Sequence, residues 1–128
     1  MLTGTVTSEF EAVLTIELQG ADGESETLRA AVDTGFDGFL ALPSSVMTRL
    51  GLPFQGLADL MLADGSAVIL AVFEATVIWH GRAVSVSAIE GEGGALVGMR
   101  LLQGSRLTTD VLENGPVRIE PIEQAAGD

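Results

Sequence analysis

The interpretation of this chain depends on one stretch, Thr27-Leu-Arg-Ala-Ala-Val-Asp-Thr-Gly-Phe36. Its first six residues, Thr27 to Val32, predict a β-strand that runs directly into Asp33-Thr34-Gly35. An Asp-Thr-Gly triplet alone is weak evidence, because it is expected by chance in roughly a few per cent of chains of this length. It can also be an ordinary turn in which the Asp side chain accepts a local backbone hydrogen bond. The meaning of the triplet therefore depends on what surrounds it.

Short β segments separated by turn signals surround this stretch on both sides. Two segments have helical spacing instead, Ser44–Leu50 and Gly98–Gln103. The pattern predicts an all-β fold, a closed or nearly closed barrel with one or two short helices, as a single domain over residues 1–122. The acidic tail, residues 123–128, is expected to be disordered. The predicted strands are Glu11–Leu18, Thr27–Val32, Leu40–Leu42, Leu57–Leu62, Ala67–Trp79, Arg82–Ile89, Ala95–Val97, Leu107–Leu112 and Val117–Glu120.

The composition excludes several classes of function. The chain has 128 residues, a formal net charge of −12, one His and no Cys. The negative charge argues against nucleic-acid partners and acidic membrane surfaces. A zinc site needs several His or Cys ligands, so we expect no metal and no cofactor. The first residues lack a basic and then apolar leader, and the longest apolar run, Ala67–Phe73, is too short to span a bilayer, so we expect a cytoplasmic protein.

The surroundings of the triplet raise its significance. Asp33-Thr34-Gly35 is followed by Phe36, an Asp64-Gly65 turn signal lies further along, and Leu96-Val97-Gly98 leads into the second helical segment. In this combination the chain resembles the retropepsin-like aspartic proteases, and most closely the small prokaryotic group in which the motif reads Asp-Thr-Gly-Phe. The resemblance extends from about Thr5 to Pro121. It implies an acid-protease barrel and an aspartic endopeptidase that acts on a peptide or protein substrate.

The chemistry of such an enzyme needs two carboxylates that face one water molecule. Two carboxylates so close cannot both ionise, so they share a proton, and one acts as base while the other acts as acid. This chain contains a single Asp-Thr-Gly, so the simplest complete site is a homodimer with one Asp33 from each chain. The resemblance implies that Thr34 bonds to the partner loop, and that Gly35 permits a sharp, close turn.

The resemblance also implies a flap, a hairpin with Asp64-Gly65 at its tip that closes over an extended peptide. An ordinary hairpin is the alternative. Next to the tip, Leu62, Ala63 and Ser66 are candidate substrate contacts. Three apolar residues are candidate walls of the substrate groove, although core positions are the more usual role for the last two. These residues are Phe36, Leu40 and Leu96.

Two positions depart from better-known members of the family. Phe36 stands where the family usually has Ser or Ala, so no hydroxyl at this position donates to the catalytic carboxylate. Asp37 matches a family Asp, but Met99 replaces the Arg that pairs with it. Asp37 could instead pair with Arg100 or be a solvated turn carboxylate. These departures keep open a second interpretation, a non-catalytic dimeric β-barrel that binds or regulates a partner.

In the family the chain ends interleave to form the dimer interface. The candidates here are Leu2–Val6 and Val117–Pro121. The alternative is that the last strand closes only its own barrel.

Overall fold

The computed structural model describes residues 1–123. This part of the chain forms ten strands and two short helices. The predicted end of the strand Leu107–Leu112 is wrong, because the strand ends at Thr109 and Asp110 to Gly115 form a turn. The predicted disordered tail lies, apart from Glu123, outside the described residues. The elements are β1 Leu2–Val6, β2 Ala12–Gln19, β3 Ser25–Val32, β4 Leu40–Leu42, α1 Ser44–Leu50, β5 Phe54–Met61, β6 Ala67–Trp79, β7 Arg82–Glu90, β8 Ala95–Val97, α2 Met99–Leu102, β9 Ser105–Thr109 and β10 Pro116–Pro121.

The strands close into a barrel, as the sequence predicted. Hydrogen-bonded neighbours follow the order β6, β7, β4, β8, β3, β2. The circle closes because Glu17–Gln19 of β2 pair antiparallel with Thr76–Ile78 of β6. Two contacts in this circle are short, because β8 pairs only with residues 30–32 of β3, and β4 pairs only with residues 88–90 of β7. The first part of β2 pairs with β1 instead, so a second sheet extends outward from the barrel in the order β2, β1, β10, β9.

The core follows from alternation along the strands. In β2 the side chains of Leu14, Ile16 and Leu18 point inward and are buried, whereas Thr15 between them is exposed. Residues two apart lie on the same face of a strand, so this pattern turns one face of β2 toward the core. The largest fully buried side chains are Ile16, Leu18, Leu40, Leu42, Ile119, Val6, Val77, Val97 and Val117. In residues 1–123 no helix is long and apolar enough to span a membrane.

The helix α1 seals one side of the barrel. Its residues Val46, Met47 and Leu50 are buried, and Gly51 ends it with a left-handed backbone (φ 63°). On its exposed side the guanidinium of Arg49 makes two hydrogen bonds of 2.7 Å to the carboxylate of Glu26 in β3. This bidentate contact holds the pKa of Glu26 below its ordinary value. It ties α1 to the strand that leads into Asp33.

The two chain ends pair with each other within one chain. In β1, Leu2 to Thr5 are in antiparallel register with Ile119 to Pro116 of β10. The other side of β10 pairs with β9, so β9 is the outermost strand of the second sheet. His80, in the turn between β6 and β7, anchors the start of β9, because its Nε2 lies 2.8 Å from the Ser105 hydroxyl. Burial lowers the pKa of His80.

Candidate functional site

Asp33 lies at the ends of two parallel strands. Val32 of β3 is in register with Val97 of β8, and the Asp33 N–H donates a 2.9 Å hydrogen bond to the carbonyl of Val97. Val97 is fully buried. The core strand β8 therefore fixes the backbone from which the Asp33 side chain projects.

A tight turn follows Asp33 and holds its carboxylate. The Gly35 N–H donates to Asp33 Oδ1 at 2.9 Å, and the Phe36 N–H donates to the Asp33 carbonyl at 3.2 Å. Asp33 is half-buried, whereas Thr34 and Gly35 are exposed. A backbone N–H that donates to a carboxylate oxygen fixes the orientation of that carboxylate. The turn thus presents one oriented carboxylate on an accessible loop.

The segment Leu96-Val97-Gly98 crosses this loop, and hydrogen bonds at the end of the segment hold the loop in place. Gly98 donates to the Phe39 carbonyl at 3.0 Å, and Met99 donates to the Phe36 carbonyl at 2.8 Å. A Cβ built on Gly98 would overlap the carbonyl oxygen of Gly38 and lie 2.6 Å from the Phe36 ring. Only glycine fits this crossing without movement of the neighbouring backbone. The ring of Phe36 therefore supports the loop by packing at the crossing.

Arg100 also joins the two segments, but not through the carboxylate of Asp37. Its backbone N–H donates to the Gly38 carbonyl at 3.1 Å, and its Nε donates to the main-chain carbonyl of Asp37 at 3.2 Å. The Asp37 carboxylate is exposed and forms no ion pair within residues 1–123. The side-chain pair considered from the sequence is therefore replaced by a side-chain-to-backbone contact.

The strands β5 and β6 form a hairpin whose tip has the expected turn. Gly65 takes a left-handed backbone (φ 88°), and Leu62 donates to the Ser66 carbonyl at 2.7 Å. Asp64 Oδ1 accepts hydrogen bonds from the Ser66 hydroxyl at 2.6 Å and from the Ser66 N–H at 2.9 Å. These donors hold the pKa of Asp64 below its ordinary value. The tip is exposed along its whole length.

A groove of about 760 Å³ lies between the Asp33 loop and this hairpin. Of the site residues predicted from the sequence, six line it: Asp33, Gly35, Phe36, Leu62, Ala63 and Leu96. The others do not line it, namely Thr34, Asp37, Asp64, Gly65 and Ser66. The remaining wall candidate, Leu40, is fully buried in the core.

The groove has two further walls that the sequence analysis missed. One is the underside of the hairpin, where Leu60, Val68 and Leu70 are half-buried. The alternation of inward and outward side chains along β5 and β6 is the sequence signal that could have found this wall, since Leu60 pairs with Val68 on one face of the hairpin. The other wall, residues 89–92, includes Glu90 and Glu92. It reaches the site because β7 pairs in parallel with β4, a contact between distant residues that leaves no local signal.

Comparison with known proteins identifies the fold. No protein-family model matches the chain, and no curated protein matches it. Among solved structures, the chain is similar to a retropepsin-like aspartic protease from Rickettsia conorii. The two share 14% sequence identity with a TM-score of 0.61, over 95% of this chain and 92% of the other. The closed barrel, the two short helices and this similarity show that the chain has the retropepsin-like fold.

Proposed function

We propose that this protein is an aspartic endopeptidase, assembled as a homodimer in which each chain contributes Asp33. One observation carries the proposal: Asp33 is held at the end of two core strands and lines a groove roofed by a hairpin. The retropepsin-like fold of the chain supports it, as does the aspartic protease whose structure it resembles. A groove of this size is typical of ligand sites.

The proposed mechanism uses a water molecule between the two Asp33 carboxylates. The pair shares one proton, so one carboxylate removes a proton from the water while the other protonates the carbonyl oxygen of the substrate. The Gly35 N–H, which donates to Asp33 Oδ1, keeps the carboxylate oriented during this exchange. Thr34, which is exposed in the single chain, contacts the partner loop in the proposed dimer.

The lining of the groove suggests the class of substrate. An extended peptide would meet apolar side chains on two sides of the groove, from Leu60, Val68 and Leu70 of the hairpin and from Leu96 of β8. Glu90 and Glu92 add negative charge at one wall. Because complementary charge favours binding, we expect cleavage next to apolar residues in peptides that also carry Lys or Arg nearby.

The test is cleavage of an unbiased peptide library from about pH 3 to pH 8 by wild type, Asp33→Asn and Asp22→Asn. Asn keeps the oxygen that accepts from Gly35 but cannot act as a base, so the Asp33→Asn rate should fall by about 10³-fold or more. Asp22 lies in the exposed turn between β2 and β3, and its variant should cleave like wild type. The wild-type rate should rise faster than linearly with protein concentration, because two chains form one site.

Equal activity in wild type and Asp33→Asn would refute the proposed site. If all three proteins are dimeric and inactive at every pH, the non-catalytic binding module becomes the better interpretation. Phe36 at the position of the usual Ser or Ala is the feature that keeps this second interpretation in view.

A further inference from the structure

A second cavity, of about 320 Å³, lies next to the groove that contains Asp33. Its walls come from α1, from residues 51–52, from Phe73 of β6 and from Glu90 of β7. Phe73 belongs to the first residue pair of the β5–β6 hairpin, opposite Phe54. The cavity therefore lies between α1 and the base of the hairpin, and it shares only Glu90 with the groove.

The floor of this cavity is apolar and belongs to the packed core. Met47 of α1 and Leu52, just after the helix, are 3% and 7% exposed. The Leu52 N–H donates to the Met47 carbonyl at 3.1 Å, which fixes the two backbones relative to each other. Phe73 is half-buried, and its ring packs edge-on against Phe54 with 5.6 Å between ring centroids. The cavity is thus formed by the packing of the chain itself, as most ligand pockets are.

The carboxylate of Glu90 belongs to the inner face of β7. Val86 and Ala88 are buried, whereas Ser87 between them is exposed. Residues two apart share a face of a strand, so Glu90 continues the inward row of Val86 and Ala88. Ala88 is opposite Phe73 in the register of β6 and β7. Glu90 and Phe73 therefore line the same cavity from neighbouring strands.

Glu90 has no counter-ion among residues 1–123. The two ion pairs in this part of the chain are Arg49 with Glu26 and Arg106 with Glu120. Glu90 is half-buried, so it has lost part of its contact with water. A cationic donor stabilises such a carboxylate through a charge-assisted hydrogen bond. The cavity therefore combines an apolar floor with one unpaired negative group.

We propose that this cavity binds a small organic cation, an amine that carries one apolar ring or a short apolar chain. The ammonium group pairs with Glu90, and the apolar part lies on Met47, Leu52 and Phe73. The volume of the cavity is near the lower end of the range for ligand pockets, roughly 300–1,000 Å³, so it suits a ligand with one ring. The net charge of −12 attracts a cation and repels an anion of the same size.

The first test uses 2-phenylethylamine as the probe and follows methionine methyl groups by NMR. The chain has four Met, of which Met47 lines the cavity and Met61 lines the groove. We expect the Met47 methyl to shift with a dissociation constant of about 1 mM or lower, while the Met61 methyl stays in place. Neutral 2-phenylethanol and anionic phenylacetate carry the same ring and should bind at least about tenfold more weakly.

Three results of this titration would overturn the proposal. The first is a Met47 methyl that does not move up to about 10 mM amine. The second is equal affinity for the amine and the alcohol, which would show that the ammonium group has no partner. The third is a shift of Met61 without Met47, which would show that the amine binds in the groove.

The second test changes the charge of the cavity. Glu90→Gln keeps the shape of the side chain and removes its charge, so affinity for the amine should fall about tenfold and affinity for the alcohol should not change. Glu92→Gln is the matched control, because Glu92 lines the groove but not the cavity. It should bind the amine as wild type does. Wild-type affinity in a folded Glu90→Gln variant would contradict the proposed role of Glu90.

The third test blocks the cavity from α1. Thr48 and Ser45 are both exposed on this helix, but only Thr48 lines the cavity. Thr48→Phe should abolish the Met47 shift, whereas Ser45→Phe should leave it unchanged. Circular dichroism and melting temperature verify that all four variants fold. Wild-type binding of the amine to Thr48→Phe would overturn the proposed location.

This inference goes beyond the proposed function, because none of its measurements uses Asp33 or catalysis. A protein that binds the amine at Met47 and cleaves no peptide would contradict the proposed function and keep this inference. An active peptidase that does not bind the amine would do the reverse.

Discussion

At the scale of single residues, Gly98 matters because two segments cross there with no room for a side chain. Its neighbours at the crossing are the carbonyl of Gly38 and the ring of Phe36. The neighbour that would have to yield is backbone as well as side chain, so the strain cannot be relieved by a rotamer change. The crossing fixes the loop that carries Asp33.

We predict that Gly98→Ala lowers the free energy of unfolding by about 2 kcal/mol or more. Gly93→Ala is the matched control, because a Cβ there would meet nothing within 4 Å. It should change the free energy of unfolding by less than about 0.5 kcal/mol. Urea denaturation of both variants measures the difference. Equal stabilities would show that the crossing is looser than the contacts indicate.

Phe36 shows what can be inferred from one residue and what cannot. From the sequence, its lack of a hydroxyl could be noted as a departure from the family pattern. The packing of its ring against Gly38 and Gly98 could not be inferred from the sequence. Gly98 lies about sixty positions away and comes near Phe36 only through the pairing of β3 with β8.

At the scale of elements, the β5–β6 hairpin combines a fixed tip with an apolar underside. Asp64 and Ser66 fix the tip through two hydrogen bonds to one carboxylate oxygen. Leu60, Val68 and Leu70 face the groove. The turn at the tip therefore depends on the Asp64 carboxylate, although Asp64, Gly65 and Ser66 do not line the groove.

We predict that the tip loosens in acid. The pKa of Asp64 is depressed from its ordinary value of 3.8, so the ionised form stabilises the turn. That contribution is fully present above the ordinary value and is lost as the pH falls through the lowered pKa. The Ser66 amide resonance in NMR spectra should therefore titrate with a midpoint below 3.8.

Two variants control this measurement. Asp64→Asn should abolish the titration, and Asp59→Asn, which changes an exposed carboxylate elsewhere on the hairpin, should leave it intact. A Ser66 resonance that titrates in Asp64→Asn would show that another group controls the tip.

At the scale of the whole molecule, the short contact between β2 and β6 closes the barrel. It involves three residue pairs, with Leu18 opposite Val77 at its centre, and both side chains are fully buried. The same strand β6 continues from this contact to the tip of the hairpin. The closure therefore determines where the hairpin stands relative to Asp33.

We predict that Leu18→Ala lowers the free energy of unfolding by about 2–5 kcal/mol, because it leaves a cavity where the barrel closes. Ile69→Ala is the control, since Ile69 is 66% exposed on the hairpin and its loss should cost less than about 0.5 kcal/mol. Chemical denaturation measures both. A small effect of Leu18→Ala would mean that the barrel relaxes to fill the space.

The sequence alone determined the class of fold, the approximate positions of most elements and the position of the candidate catalytic turn. These properties depend on local features: alternation of apolar residues, turn-forming Asp-Gly pairs and the Asp-Thr-Gly-Phe stretch. The roles of Asp33, Thr34 and Gly35 remain predictions. Only the tertiary structure decided which walls face Asp33, how Phe36 and Gly98 interlock, and which strand edge stays open. Those properties depend on pairing between distant strands, and the register of such pairs is set by the packing of the whole barrel.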